Sequence, residues 1–413
     1  MKKLLSVVLA LLMLAVMLPV TAMAEDIPTL GSDKVWKNVN PKNVQDVLDG
    51  KHGSINGTTI ELSAGNYDKI EFGRATAYED SDTKYYLSGA VSDVDTIKKD
   101  IDDHPNGGAG KREYVRNMSN VTIKAADGAA VTINGLVAFG GQVNSTKWYS
   151  RDFVADRDMS ATENNNISYW IGQNWSNITF KGLTFTGGVN IEAYGNDNTR
   201  IDNVKFENCK FSITDNPSET YCIRLNVDGN VAKANNLVVE KCEFTNGLTA
   251  VLTDGMPNVT VTDSTFSGLA RHAINPMMNY LPKAPGYGEI TVTGNTFKNM
   301  SNAEKGTILR MGDVGAGAVL TIKNNTATEG ITLANSVKVN SLADGITYNI
   351  SGNNWRENLK FSEAFKNIVD EPIPKPSTPI VIVPSTGAND MVAAAAALMA
   401  VSALGMAVLS RKK

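Results

Sequence analysis

The chain has no surplus of positive charge: 39 Lys and Arg stand against 43 Asp and Glu in 413 residues, a net charge of −4. With no basic excess there is little counterion release to drive binding to nucleic acid, so that partner class is set aside. Cysteine is scarce at three, an odd number, and none has the spacing of a zinc site. No calcium loop of the helix-loop-helix type is found either. Proline is sparse at 14, against 35 Gly, 42 Asn and 34 Thr, a balance that implies many turns between β-leaning strands. With 42% hydrophobic residues the chain is no disordered polymer and can bury a sizeable core.

Both ends read as addresses. Residues 1–24 carry Lys2 and Lys3, an apolar run from Leu4 to Val20, and the small-residue site Ala22-Met23-Ala24. This is the pattern of a signal peptide, which places the mature start at Glu25; the run is short for a membrane anchor. At the other end Val383-Pro384-Ser385-Thr386-Gly387 precedes 19 almost uninterrupted apolar residues, Met391 to Leu409, and the basic cluster Arg411-Lys412-Lys413. A run of that length just spans a hydrocarbon core, with the basic end held on the cytoplasmic side.

This order resembles the cell-wall sorting signal of Gram-positive bacteria, in which a sortase-type transpeptidase cuts after Thr and joins the chain to the wall. The resemblance puts the cut between Thr386 and Gly387. Val383 stands where the signal has Leu, which leaves retention as a tail-anchored membrane protein as the alternative. Either way the body is extracellular, on a Gram-positive surface. Removing both ends leaves 34 basic and 42 acidic residues, a net charge of −8. An acidic surface opposes an anionic ligand unless calcium or a local basic patch intervenes. Ahead of the signal, Pro372, Pro374, Pro376, Pro379 and Pro384 make a stiff spacer over 371–386.

The middle is a repeat. A nine-residue core recurs as NITFKGLTF (177–185), NVKFENCKF (203–211), NLVVEKCEF (236–244), NVTVTDSTF (258–266), EITVTGNTF (289–297), VLTIKNNTA (319–327) and TYNISGNNW (347–355). A partial copy begins at Asn120, and Thr59 to Tyr67 fits as an opening rung. Positions two and four are apolar between polar neighbours, the signature of a strand with one buried face. Variable spacing around a fixed short strand excludes a helical solenoid and paired hairpins. It leaves rungs stacked in parallel about 4.8 Å apart, so that equivalent positions form ladders.

This pattern resembles the right-handed parallel β-helix of the pectin-lyase-like superfamily. The expected fold is all-β: a right-handed single-stranded parallel β-helix over 58–355 with two loop insertions, about 75–118 and 139–176. Short helices are expected to cap it. Asn40-Pro41 with Val44, Val47 and Leu48 predicts one lid within 25–57, and Ser362 with Phe365 and Ile368 the other within 356–370; the sorting-signal tail is 387–413. Position nine forms a Phe ladder. Position seven, rich in Asn, is expected at the tight bend, where Asn tolerates the left-handed conformation and hydrogen-bonds along the stack. Cys209 and Cys242 share that position and read as a buried thiol pair.

The strand after each variable loop carries the candidate chemistry, read as Ile223-Arg-Leu225, Ala250-Val-Leu252, His272-Ala-Ile274 and Leu309-Arg-Met311. If the outer residues of each triplet point inward, Arg224 and Arg310 project outward on one sheet about 14 Å apart. Asp228, Asp254 and Asp313 follow at the next corner. Such a groove suits an acidic sugar. The aspartates could hold Ca2+ against a uronate carboxylate while Arg224, Arg310 or His272 removes the α-proton and an elimination breaks the glycosidic bond. The bland alternative is solvated Arg/Asp pairs and a core histidine. The Arg-x-Pro-x-x-Arg stretch of pectate lyases and the Asn-Thr-Asp, Asp-Asp and Gly-His-Gly strand motifs of polygalacturonases are not found, and the doublet Asp102-Asp103 lies in a polar insertion.

Trp148, Tyr149, Tyr169, Trp170 and Trp175, with Arg271, are the candidate substrate-binding set, since exposed aromatic rings stack on sugars; the alternative is a small apolar knot. The function expected is binding, with lyase-like cleavage of a uronate-containing polysaccharide, host or neighbour-cell glycan, set against a non-catalytic adhesin or spacer.

Overall fold

The computed structural model describes residues 27–369 except 49, 73–74, 81–82, 89–109, 140, 145–147, 150–166, 194–199, 228–232, 279–285, 329 and 355–359. The leader 1–24, the spacer, Thr386, Gly387 and the apolar run to Leu409 lie outside these. Among the described residues no helix is long and apolar enough to cross a membrane.

The nine-residue cores stack as expected. The first face runs, in stacking order, from Thr59–Leu62 through Gly110–Ala125, Ile167–Lys181, Arg200–Glu207, Asn236–Glu240, Asn258–Thr262, Glu289–Thr293 and Val319–Lys323 to Thr347–Ser351, every neighbour parallel. Position two pairs with position two at each step, as Val204 with Leu237 and Leu237 with Val259. The second face carries position nine, and the third the strands Ile70–Phe72, Leu136–Phe139, Val189–Ala193 and Ile223–Val227, the ends of Glu243–Asp254 and Thr265–Met277, then Ser301–Arg310 and Thr332–Lys338. The chain is a parallel β-helix. Among the described residues antiparallel pairing is confined to Thr29–Leu30 on Val35–Val39, the ribbon of Ala75–Asp80 and Thr83–Ser88, and Gly141–Asn144 with its two partners.

The core is a set of like-on-like stacks. Phe185, Phe211, Phe244, Phe266 and Phe297 follow one another at 5.0, 4.7, 4.8 and 5.0 Å between ring centroids, their planes nearly parallel. A second, shorter stack, Phe180 on Phe206, lies beside it. All are fully buried, each worth about 1.5–3 kcal/mol of removed apolar surface against the cost of ordering its strand.

Two alignments shift. The left-handed residues sit at position six, one before the Asn column: Gly182, Asn208, Lys241, Asp263, Gly294, Asn324 and Gly352 all have φ between 51° and 70°. Position seven instead turns inward. Asn295 Nδ2 donates to Asn325 Oδ1 at 3.1 Å and Asn325 Nδ2 to Asn353 Oδ1 at 2.9 Å, so the hydrogen bonding along the stack is as expected but dry. The opening rung is offset: Thr59 pairs with Thr122, at position three, yet Tyr67 still meets Ile133 at position nine. Two extra residues at its corner absorb the offset, and an even shift keeps Ile60 and Leu62 inward.

Helix α1 (Val44–Leu48) buries Val44, Val47 and Leu48 on the lower end, with the Asn40 side chain accepting from the Lys42 amide at 2.9 Å. Helix α2 (Glu363–Val369) seats Phe365 in the upper end. Cys209, Cys222 and Cys242 are unbonded and buried; contact with Cys209 and then burial push the Cys242 thiol well above its usual range.

Candidate functional site

The third face differs from the sequence alignment of its strands in two of four rungs. Ile223 pairs with Val251, Val251 with Ile274, and Ile274 with Leu309. The aligned triplets are therefore Ile223-Arg224-Leu225, Val251-Leu252-Thr253, Ile274-Asn275-Pro276 and Leu309-Arg310-Met311. The flanking residues point inward, as expected. One outward row runs Asn190, Arg224, Leu252, Asn275, Arg310 and Lys338. Arg224 and Arg310 do share it, three rungs and so about 14 Å apart. The slip arose because Ala250, Val251 and Thr253 are all buried, leaving no alternation to fix register.

Asn275 is 4% exposed and its Oδ1 has no hydrogen-bond partner, nor does Asn190 Oδ1. Arg224 lies over the Tyr221 ring, 5.7 Å from its centroid. Asp254, at the end of its strand, is half-buried with Oδ1 unpartnered; burial pushes its carboxyl up to about 6, with Arg224 pulling the other way. The neighbouring Tyr287 is locked. Its hydroxyl donates to the Pro276 carbonyl at 2.9 Å and accepts from the Gly312 amide at 2.8 Å, and burial raises it to about 12.

His272 is removed from the reactive set. It is 1% exposed; its Nδ1 is 2.9 Å from Thr307 Oγ1 and its Nε2 3.4 Å from Arg310 Nη1. An arginine only donates, so Nε2 accepts and Nδ1–H faces Thr307. Burial, and then the cations Arg271, Arg310 and Lys338, hold the imidazole neutral, down to about 3. It cannot reach a sugar, and it orients Arg310 instead. Arg271 occupies a bulge: Gly247 pairs with Leu269 and Thr249 with His272, so Ala270 and Arg271 together oppose Leu248. Its Nε is buried without a partner.

Of the calcium set only Asp254 and Asp313 fall among the described residues. Asp228 lies outside the described residues. Asp313 is exposed and accepts from the Ser341 hydroxyl at 2.6 Å. Asp254 is half-buried at the end of its own strand. Among the described residues no group of three or more acidic, His or Cys side chains is placed to hold a metal.

The aromatic set also divides. Trp175 is a core residue, 1% exposed and edge-on to Phe72 at 5.3 Å, in register with Met118 and Ile201. It turns inward because left-handed Asn177 resets the alternation between it and Ile178. The other four lie on the ribbon beside the first face. Trp148, Val143, Tyr169 and Arg112 share one cross-strand row, and Tyr149, Gln142, Trp170 and Glu113 the adjacent one, so the four form no single row.

No family model matches the chain, and no curated protein matches it. Among solved structures, that of the Streptococcus pneumoniae surface protein and adhesin PfbA aligns with 74% of this chain and 94% of its own at 11% identity and a TM-score of 0.24. A likeness of that size carries no argument; the fold stands on the ladders above.

Proposed function

We propose that the chain is a surface-displayed β-helix that binds polysaccharide along its third face. The observation that carries this is where unmet hydrogen-bonding capacity lies. Of nine buried side-chain polar atoms without a partner among the described residues, seven belong to third-face strands: Asn190, Thr249, Thr253, Asp254, Arg271, Asn275 and Ser336. A buried polar group left unpaired costs about 1–3 kcal/mol, and a ligand rich in hydroxyls recovers part of that at the partly exposed side chains Asn190, Asp254 and Arg271. Display at the surface rests on the order of sorting motif, apolar run and basic end, with joining to the wall through Thr386. A glycan array probed with the full chain and with Asn190→Leu tests the reading: binding that weakens in the variant supports it, and no binding to any glycan ends it.

Cleavage is the second reading, and Asp254 favours it. A carboxyl pushed up to about 6 is a competent base at neutral pH. It would take the α-proton of a uronate as the bond to the leaving oxygen breaks, giving an unsaturated product, with solvent protonating the leaving group. Absorbance of that product over pectins, alginate and glycosaminoglycans decides: none on any polymer leaves a non-cleaving adhesin.

A further inference from the structure

Among the described residues, the third face holds a group of cations with no counterion. Arg310 and Lys338 are direct partners on adjacent rungs, about 4.8 Å apart along the stack, where like charges destabilise a sheet. Arg271 sits in the bulge one rung below, four residues before the Asn275 that faces Arg310, and its charge joins those of Arg310 and Lys338 at the His272 ring. Arg271 and Arg310 are partly exposed and Lys338 is exposed, so all three are open to a ligand. Among the described residues none of the three makes an ion pair, whereas on the first face Lys124, Lys181 and Lys205 are each matched by a glutamate within 3 Å, and the unpaired Lys323 stands alone between Thr293 and Ser351. The nearest third-face acids leave the gap unfilled, since Asp313 is engaged by Ser341 and Asp254 is turned into its own half-buried site. The guanidinium of Arg310 is held by the buried imidazole of His272, and Arg271 keeps a buried Nε–H without an acceptor. A chain with net charge −4 that spends three cations this way has built a local well for negative charge.

We infer that Arg271, Arg310 and Lys338 form a subsite for one anionic group of the polysaccharide, a carboxylate or a sulfate ester, with His272 as a positioning residue for the Arg310 fork. This rests on the proposed reading and gives it a substrate class. Planar Arg donors match either oxyanion, and Lys338 supplies a mobile point charge at the mouth.

The test titrates the purified full chain with polygalacturonate, dextran sulfate and uncharged dextran, for the wild type, Arg310→Gln, Lys338→Met and the first-face control Lys241→Gln. At least one charged polymer is expected to bind, and each third-face substitution to weaken it about tenfold, as expected for a lost charged hydrogen bond. Lys241→Gln is expected to change nothing. The polymer that shows this sensitivity identifies the oxyanion. Lys338→Met removes an exposed side chain and a like-charge contact, so its thermal midpoint is expected to stay or rise; it carries the test if Arg310→Gln does not fold. Wild-type affinity in Arg310→Gln and Lys338→Met, or in a well-folded Lys338→Met alone, overturns the subsite. Binding of neutral glycans only, still lost in Asn190→Leu, overturns the subsite and leaves the proposed function standing; no glycan binding at all removes both.

Discussion

The first and third faces are made by the same rungs and use polar residues in opposite ways. On the first face the polar pattern repeats, with Thr293 Oγ1 its one unpartnered exception among the strands of the nine-residue cores: Asn177 Nδ2 donates to Asn120 Oδ1 at 2.9 Å, Asn203 to Asn177 at 3.0 Å and Asn236 to Asn203 at 3.2 Å, and Glu207 and Glu240 share Lys205 between them at 3.0 and 2.8 Å. On the third face the row changes character at each step, from Arg224 to Leu252, Asn275 and Arg310, and the alternation is broken by a bulge at Arg271. A face whose polar groups answer one another has nothing left for a ligand. A face whose polar groups do not must find its partners elsewhere, which is what separates a wall of the coil from a site on it.

That contrast presumes one shared core, and the largest effect should come from breaking it. Phe244→Ala removes the middle ring of the five-membered stack and is expected to cost about 3–5 kcal/mol in chemical denaturation. A smaller loss would mean the rungs are held by their faces and not by their centre. Next is Asn325→Ala, at the dry corner behind the first face. It strips the Asn295 amide and the Val292 carbonyl of their partners, and about 1–3 kcal/mol should be lost. Asn325→Ser should restore part of this, as Ser264 already occupies an equivalent position and accepts from the Cys242 amide.

How far the sequence carried each face follows from the same contrast. The first face was legible because alternation is strict there, and seven copies agree on which residues turn inward. The third was legible only where a charged residue sits between two apolar ones, as at Arg224 and Arg310. Ala250, Val251 and Thr253 are all buried, and the bulge at Ala270 and Arg271 adds a residue no spacing rule expects, so Asn275 and Lys338 were missed and His272 was placed in the wrong column. A signal for Lys338 existed: it follows Val337 as Arg310 follows Leu309. Trp175 had one too, since it stands three residues before position two, as Met118 and Ile201 do in their rungs. Composition alone made it look like a binding residue.

The faces should also answer pH with opposite signs. Burial raises Asp254 to about 6 from an ordinary 3.8, so the folded chain holds that proton more tightly than the unfolded one. The stability this contributes is full below 3.8 and is lost as pH rises to about 6. Asp254→Asn removes the titration, and denaturation at pH 8 should find it more stable than the wild type by on the order of 1 kcal/mol, discounted for partial exposure, with no such advantage at pH 4.

The first face predicts the reverse at the smallest scale. Hydrogen bonds from Lys181 and then Lys205 hold the Glu207 carboxyl below its ordinary 4.5, so its contribution is present above 4.5 and lost as pH falls below it. Glu207→Gln should therefore cost stability at neutral pH, by about 0.5–1 kcal/mol for two exposed lysine partners in low salt. The cost should fade in 1 M salt, where screening shortens to about 3 Å, and again below pH 4, where the wild type has lost the charge itself. If Glu207→Gln instead stabilises, as Asp254→Asn should, the ion pairs of the first face are not compensating one another, and the argument that unpaired cations on the third face mark a ligand loses its reference.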